Sequence, residues 1–342
     1  MSLKKLRVGI IGLGHMGKIH MQNSLKLENT SLIAVSDVSK KALKDARDAG
    51  VKNTFDDYEQ LLKNPEIDAV IIALPTYLHL QCAMRAAEEG KHVLLEKPIA
   101  RNVQEAHEII AAAQRHSIKL MIGYPLRFSP TFRDFKEKLQ SGTLGDVEIA
   151  SAINISNGPF THRMQDYAPI PVSEWWFSKE LSGGGTLIDL GSHMLNLLRW
   201  YFGEITDIKS HFGYRFNLDL EDTATCLAKF QTGTLGIISV GWFSQTTSIQ
   251  VELFGTVNHL KTQPHTSNPI LTATKMLTIG SSQFSTSYMA ELRNFVNCVI
   301  CDFSPSPTGK DGLKDMEAIS LAYKNQISLA ATNDSGFRSS NS

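Results

Sequence analysis

Leu6-Arg7-Val8-Gly9-Ile10-Ile11-Gly12-Leu13-Gly14-His15-Met16-Gly17 decides the fold, because an apolar run of strand length breaks there into a G-x-G-x-x-G turn. Gly12 suits the tight turn out of a first strand, Gly14 leaves the backbone open to a pyrophosphate, and Gly17 lets the next helix pack close to the strand. That helix, predicted over Lys18–Leu27, offers free N–H groups and the positive end of its dipole to the phosphates. A second strand-like run, Ser31–Ser36, ends in Asp37, about 20 residues past the last glycine, where a carboxylate accepts from adenosine ribose hydroxyls. Three glycines alone can punctuate any loop. The strand before them, the helix after them and the acid beyond make this a dinucleotide site. Asp37 favours NAD because it would repel a 2′-phosphate, while Lys40 and Lys41 nearby keep NADP open.

Outward from this stretch, strand-like and helix-compatible segments alternate as far as residue 122. Ser39–Ala49 is predicted helical, with Ser39 as N-cap and Gly50 ending it. Asp68–Leu74 is a continuous apolar run that suits a parallel strand covered on both faces. Residues 1–123 are therefore read as an α/β unit, a doubly wound parallel (Rossmann) sheet. From 124 to 332 the pattern changes to longer strands with short turns, Val147–Ile155, Ile208–Phe216, Thr223–Phe230, Gly233–Phe243 and Ser248–Phe254. This predicts an α+β substrate-binding and oligomerisation domain on a mostly antiparallel open sheet. Its helices are expected at Thr131–Leu139, Ser287–Val299 and Leu313–Ala331, with 333–342 a flexible tail. Ile238, Val240 and Trp242 alternate with Leu235, Ile237 and Phe243, so both faces of one strand are apolar. A homodimer or homotetramer formed through this sheet is the expectation.

The 342 residues carry 34 Lys plus Arg against 34 Asp plus Glu, so no overall field recommends nucleic acid or an anionic membrane. A small-molecule partner is expected instead. No run approaches a membrane span and Val8–Leu13 is too short for a signal segment, which points to a cytoplasmic protein. Cys298 and Cys301 have C-x-x-C spacing without a second pair or histidines, so no metal site is expected.

Two stretches offer chemistry. Glu96-Lys97-Pro98 follows the strand His92–Leu95, where open parallel sheets bind ligands beyond the carboxyl ends of their strands. Gly183-Gly184-Gly185 runs on to Asp189 and His193, which share one face if a helix begins near Thr186. A carboxylate one turn from an imidazole can orient a general base. The chain resembles the Gfo/Idh/MocA family of NAD(P)-dependent oxidoreductases over nearly its whole length. The likeness rests on Gly12–Gly17, on Pro75-Thr76-Tyr77-Leu78-His79 with Leu74 in place of the usual threonine, and on Glu96-Lys97-Pro98. It continues through Gly123-Tyr124-Pro125-Leu126-Arg127-Phe128 and Gly183–His193.

The resemblance implies a nicotinamide lying between two domains and a sugar or cyclitol substrate. It assigns cofactor contacts to Gly12, Gly14, His15, Met16, Gly17, Asp37, Leu74, Pro75, Thr76, His79, Glu96 and Lys97. Substrate contacts fall to Lys97, Tyr124, Arg127, Trp176, Asp189 and His193. His193 would take the hydroxyl proton, Lys97 would stabilise the developing alkoxide, and Asp189 would orient the substrate, His193 or both. The alternative is a sensor of the same fold that binds a dinucleotide without turnover. Lys97, Asp189 and His193 occurring together speak against it.

Overall fold

Apolar strands without a polar face demand cover on both sides, and the N-terminal half supplies it with alternating helices. In the computed structural model, which describes residues 5–160, 173–244, 246–262 and 283–327 (283–285 as backbone only), this half builds a six-stranded parallel sheet. The elements are β1 Leu6–Ile11, α1 His15–Lys26, β2 Thr30–Ser36, α2 Lys40–Asp48, β3 Asn53–Phe55, α3 Tyr58–Leu62 and β4 Ala69–Ile72. α4 His79–Glu88, β5 His92–Glu96, α5 Val103–Arg115 and β6 Leu120–Gly123 complete it. The order β3-β2-β1-β4-β5-β6 reverses direction beside β1, so the crevice at the carboxyl ends of β1 and β4 is the expected ligand position. Ser39 caps α2 through the Ala42 N–H, as the sequence predicts. Gly12 has a φ of +89°, and a Cβ there would sit 2.5 Å from the Ala73 carbonyl oxygen. A Cβ on Gly17 would come within 1.8 Å of the Gly12 oxygen, so the strand-to-helix turn closes only with glycine at both positions. Gly17→Ala is accordingly expected to force the turn apart and abolish NAD binding, which calorimetry on the purified variant checks.

The second sheet follows α6 Pro130–Gln140. It contains β7 Val147–Ile155, β8 Ile205–Gly213, β9 Thr223–Phe230, β10 Leu235–Gly241, β11 Ser248–Gly255 and β12 His259–Lys261, in the order β12-β11-β7-β10-β9-β8. Every pair is antiparallel except β7 with β10. Between β7 and β8 lie α7 Lys179–Ser182, a π-turn at Leu187–Gly191 and α8 Ser192–Phe202. Ile208, Cys226, Ile238, Val240 and Leu253 are buried in one core with Met194, Leu195 and Leu198 of α8. The other face is open: Ile149, Leu227, Leu235, Ile237 and Phe254 are exposed, and the register sets Leu235 opposite Ile149 and Ile237 opposite Leu227.

The last helices differ from their expected form. α9 is Gln283–Ile300, and Leu292, Phe295 and Val296 join Val8, Ile10, Met21 and Leu94 in one core. This helix, which the sequence assigns to the second domain, thus covers the first sheet. α10 runs Gly309–Lys324 and stops well before Ala331. Its start precedes the expected Leu313 because Thr308 and Asp311 form a capping box, and because Gly312 lets it pack against Ile99 and Ile122. The expected tail at 333–342 lies outside the described residues.

Candidate active site

The nucleotide end of the site is built by β1, α1 and β2. Gly14 is the N-cap of α1 and supplies no side-chain cap, so the first-turn amides face outward, and a Cβ on Gly14 would meet nothing within 4 Å. Asp37 is half-buried; its Oδ2 accepts from the Leu13 N–H at 2.6 Å and its Oδ1 from the Ser39 N–H at 2.7 Å. These bonds fix the carboxylate and leave each oxygen a second lone pair for a ribose hydroxyl. Lys40 and Lys41 are exposed. The residues fit a dinucleotide with a free 2′-hydroxyl.

Beyond β4 and β5 lies a cleft of 310 Å³ lined in part by Gly14, His15, Met16, Leu74, Pro75 and Thr76 on the nucleotide side. Glu96, Lys97, Trp176 and Asp189 line it as well. Lys97 Nζ donates to Asp189 Oδ1 at 2.9 Å and to the Asp189 carbonyl at 3.1 Å. Trp242 Nε1 donates to Asp189 Oδ2 at 3.1 Å. Glu221 holds the glycine run, accepting from the Gly185 and Leu187 N–H groups and from the Tyr323 hydroxyl. Trp175 and Trp176 stack at 4.5 Å on the cleft wall, with Tyr77 edge-on to Trp175.

The expected pairing of Asp189 with His193 is absent among the described residues. The π-turn adds a residue to the helical turn and breaks the i, i+4 spacing, so Asp189 bonds Lys97 and Trp242 instead. His193 is half-buried, its Nδ1 has no hydrogen-bond partner among the described residues, and its ring stands edge-on to Tyr124 at 6.3 Å. Burial, with the Lys97 charge adding to it, holds the imidazole well below its ordinary pKa. That direction favours the neutral ring near pH 7.

Three of the expected contacts are engaged by bonds within the protein. His79 is buried, its Nδ1 facing the Pro98 carbonyl and its Nε2 the Leu74 carbonyl, both at 2.9 Å. It braces the segments at Leu74 and Pro98, which line the cleft, and does not line it itself. Tyr124 is buried with its hydroxyl bonded to Asp315. Arg127 is buried on Asn196 Oδ1 at 2.7 Å and Asp311 Oδ1 at 3.0 Å. Neither lines the cleft, and His193 does not line it either. The sequence reading missed Trp242 and Glu221, which no local pattern marks. Pro159 also lines the cleft.

Residues 6–124 match an oxidoreductase family with an NAD-binding Rossmann fold, and residues 132–261 match the GFO/IDH/MocA C-terminal domain. The myo-inositol 2-dehydrogenase of Thermotoga maritima is 26% identical over 346 residues, covering 95% of this chain and 96% of that protein. The scyllo-inositol 2-dehydrogenase (NAD(+)) of Bacillus subtilis is 27% identical over 344 residues, covering 96% and 94%. The scyllo-inositol dehydrogenase of Lactobacillus casei, solved with NAD(H) and scyllo-inositol, shares the fold with a TM-score of 0.78 at 24% identity, covering 94% and 97%. No helix among the described residues is long and apolar enough to cross a membrane. With both of its sheets, its glycine turn and its Lys97–Asp189 cleft accounted for, the chain belongs to the Gfo/Idh/MocA family and is an NAD-dependent oxidoreductase of the dehydrogenase type.

Proposed function

We propose that this protein oxidises a secondary hydroxyl of a sugar, cyclitol or related polyol. The observation that carries the reading is the Lys97–Asp189 pair on the cleft wall. NAD, when bound, supplies the hydride acceptor. Lys97, cationic and anchored at the end of β5, stabilises negative charge on the substrate oxygen. His193 takes the hydroxyl proton, and burial keeps its imidazole in the accepting form. Asp189, fixed by Lys97 and Trp242, orders the hydroxyls next to the reacting one. The inositol dehydrogenases among the relatives support a ring polyol, and the Trp176 face supports stacking on its C–H side. A screen for NADH formation across inositols, aldoses, polyols and nucleotide sugars tests the proposal. Turnover of at least one ring polyol is expected; calorimetric NAD binding with no turnover across the panel would favour the sensor instead.

The open face of the second sheet supports a homo-oligomer. Five apolar side chains from β7, β9, β10 and β11 form one exposed patch there, of a kind that single chains rarely leave bare. Ile237→Glu together with Leu235→Glu should shift sedimentation to the monomer while the fold is kept. An unchanged sedimentation coefficient would place the assembly elsewhere or remove it.

A further inference from the structure

Glu96, the last residue of β5, is the one carboxylate that the first sheet brings to the cleft wall. Both of its oxygens are held from within the protein. Oε1 lies 2.8 Å from His20 Nε2, 76 positions away in the chain, and Oε2 accepts from the Lys97 N–H at 3.3 Å. A carboxylate only accepts, so His20 Nε2 carries the hydrogen in this bond. His20 is fully buried and does not line the cleft.

The imidazole is itself fixed from two sides. It sits on α1 less than two turns past Gly14, and α1 packs against β1 so closely that a Cβ on Gly17 would strike the Gly12 oxygen. From α9, Tyr288 stands edge-on to the ring, with centroids 6.1 Å apart and planes at 85°. His20 Nδ1 is buried and has no hydrogen-bond partner among the described residues, so the bond to Glu96 is the one the ring makes there. An apolar side chain would fill the same space without the cost of burying a polar ring. What the imidazole supplies is the hold on Glu96.

Strand order says which part of a dinucleotide Glu96 meets. Asp37 follows β2 and takes the adenosine ribose, and the glycine turn follows β1 and takes the pyrophosphate. Continuing in the same direction across β4 to β5 brings the nicotinamide riboside to Glu96 and Lys97. Its carboxamide N–H groups and ribose hydroxyls are donors. Glu96 keeps lone pairs beyond the two that His20 and Lys97 occupy, and a carboxylate held in one orientation can accept from such donors without first being ordered.

We propose that His20 is a positioning residue for the nicotinamide half of the cofactor. It touches no part of NAD and acts through Glu96, fixing the carboxylate in the orientation that receives the nicotinamide riboside. The hold on the ADP half, through the glycine turn and Asp37, does not depend on it. The inference rests on NAD binding and not on the polyol reaction.

Calorimetry with NAD and with ADP, which lacks the nicotinamide riboside, separates this role from simple packing of α1. His20→Leu is expected to weaken NAD about tenfold, the worth of one hydrogen bond to a charged group, and to leave ADP affinity unchanged. His20→Gln returns an N–H to Glu96 and should restore most of the NAD affinity. Equal losses for NAD and ADP would overturn the proposal, as would an unchanged NAD affinity in His20→Leu. In a Glu96→Ala background, His20→Leu should cost little more; a further tenfold loss would overturn action through Glu96. Should His20→Leu not fold, nuclear magnetic resonance of the wild-type protein with nitrogen-labelled histidine decides. The His20 Nε2–H signal is expected to shift on saturation with NAD and to stay in place with ADP, and the same response to both would refute the proposal. None of these readouts involves turnover, so a failure of the polyol screen leaves them intact.

Discussion

Lys97→Met should lower kcat for polyol oxidation by about 10²–10⁴-fold, with a much smaller change in NAD affinity. The lysine is the one cation bonded to Asp189 among the described residues, and it stands at the end of β5 where the sheet opens into the cleft. A donor fixed there acts on charge that develops during the reaction, so its loss falls on kcat more than on binding. Stability suffers too. The pair is largely buried, at 15% and 11% side-chain exposure, and removing one partner of a buried pair costs about 3–5 kcal/mol. Trp242 still bonds Asp189, which places the cost toward the lower end. A second variant, Lys97→Met with Asp189→Leu, separates the two effects: stability should recover in part while turnover does not. Full turnover in a folded Lys97→Met protein would remove the lysine from the chemistry.

His193→Asn should cost a similar factor, about 10²–10⁴ in kcat, and the parent's pH profile should bear the imprint of its surroundings. Burial and the Lys97 charge hold the imidazole neutral, so it stays an acceptor below the usual histidine range. kcat/KM for oxidation should therefore fall only at pH below about 6.5, on protonation of the ring. In Lys97→Met, where the neighbouring cation is gone, the acid limb should move back toward that value. The sign for stability follows from the same depression. Below about pH 6.5 the unfolded chain binds a proton that the folded chain refuses, so stability from this group is complete above that pH and lost as pH falls. An acid limb that stays put in Lys97→Met would break the proposed coupling.

The first sheet was legible because its signals are local. Gly12 and Gly17 sit where a Cβ would strike backbone, and the apolar strands carry no polar face that could be mistaken for surface. Lys97 and Asp189 were legible as motif residues, but their contact was not, since it joins positions 92 apart in the chain. Asp189 and His193 looked paired only on a regular helix, and the π-turn between them leaves no mark in composition. Tyr124 and Arg127 are polar residues at a junction, which look alike in sequence whether they face a ligand or the next sheet. Their deciding partners, Asp315, Asn196 and Asp311, lie far along the chain.

Deuterium transfer tests the central claim most directly. Inositols and aldoses carrying deuterium on their ring carbons would be incubated with the protein and NAD, and the reduced cofactor analysed by mass spectrometry. The account predicts deuterium on the nicotinamide ring with at least one ring polyol, and none with His193→Asn or Lys97→Met in the same interval. Calorimetric binding of NAD and polyol together with no deuterium in the cofactor would contradict it.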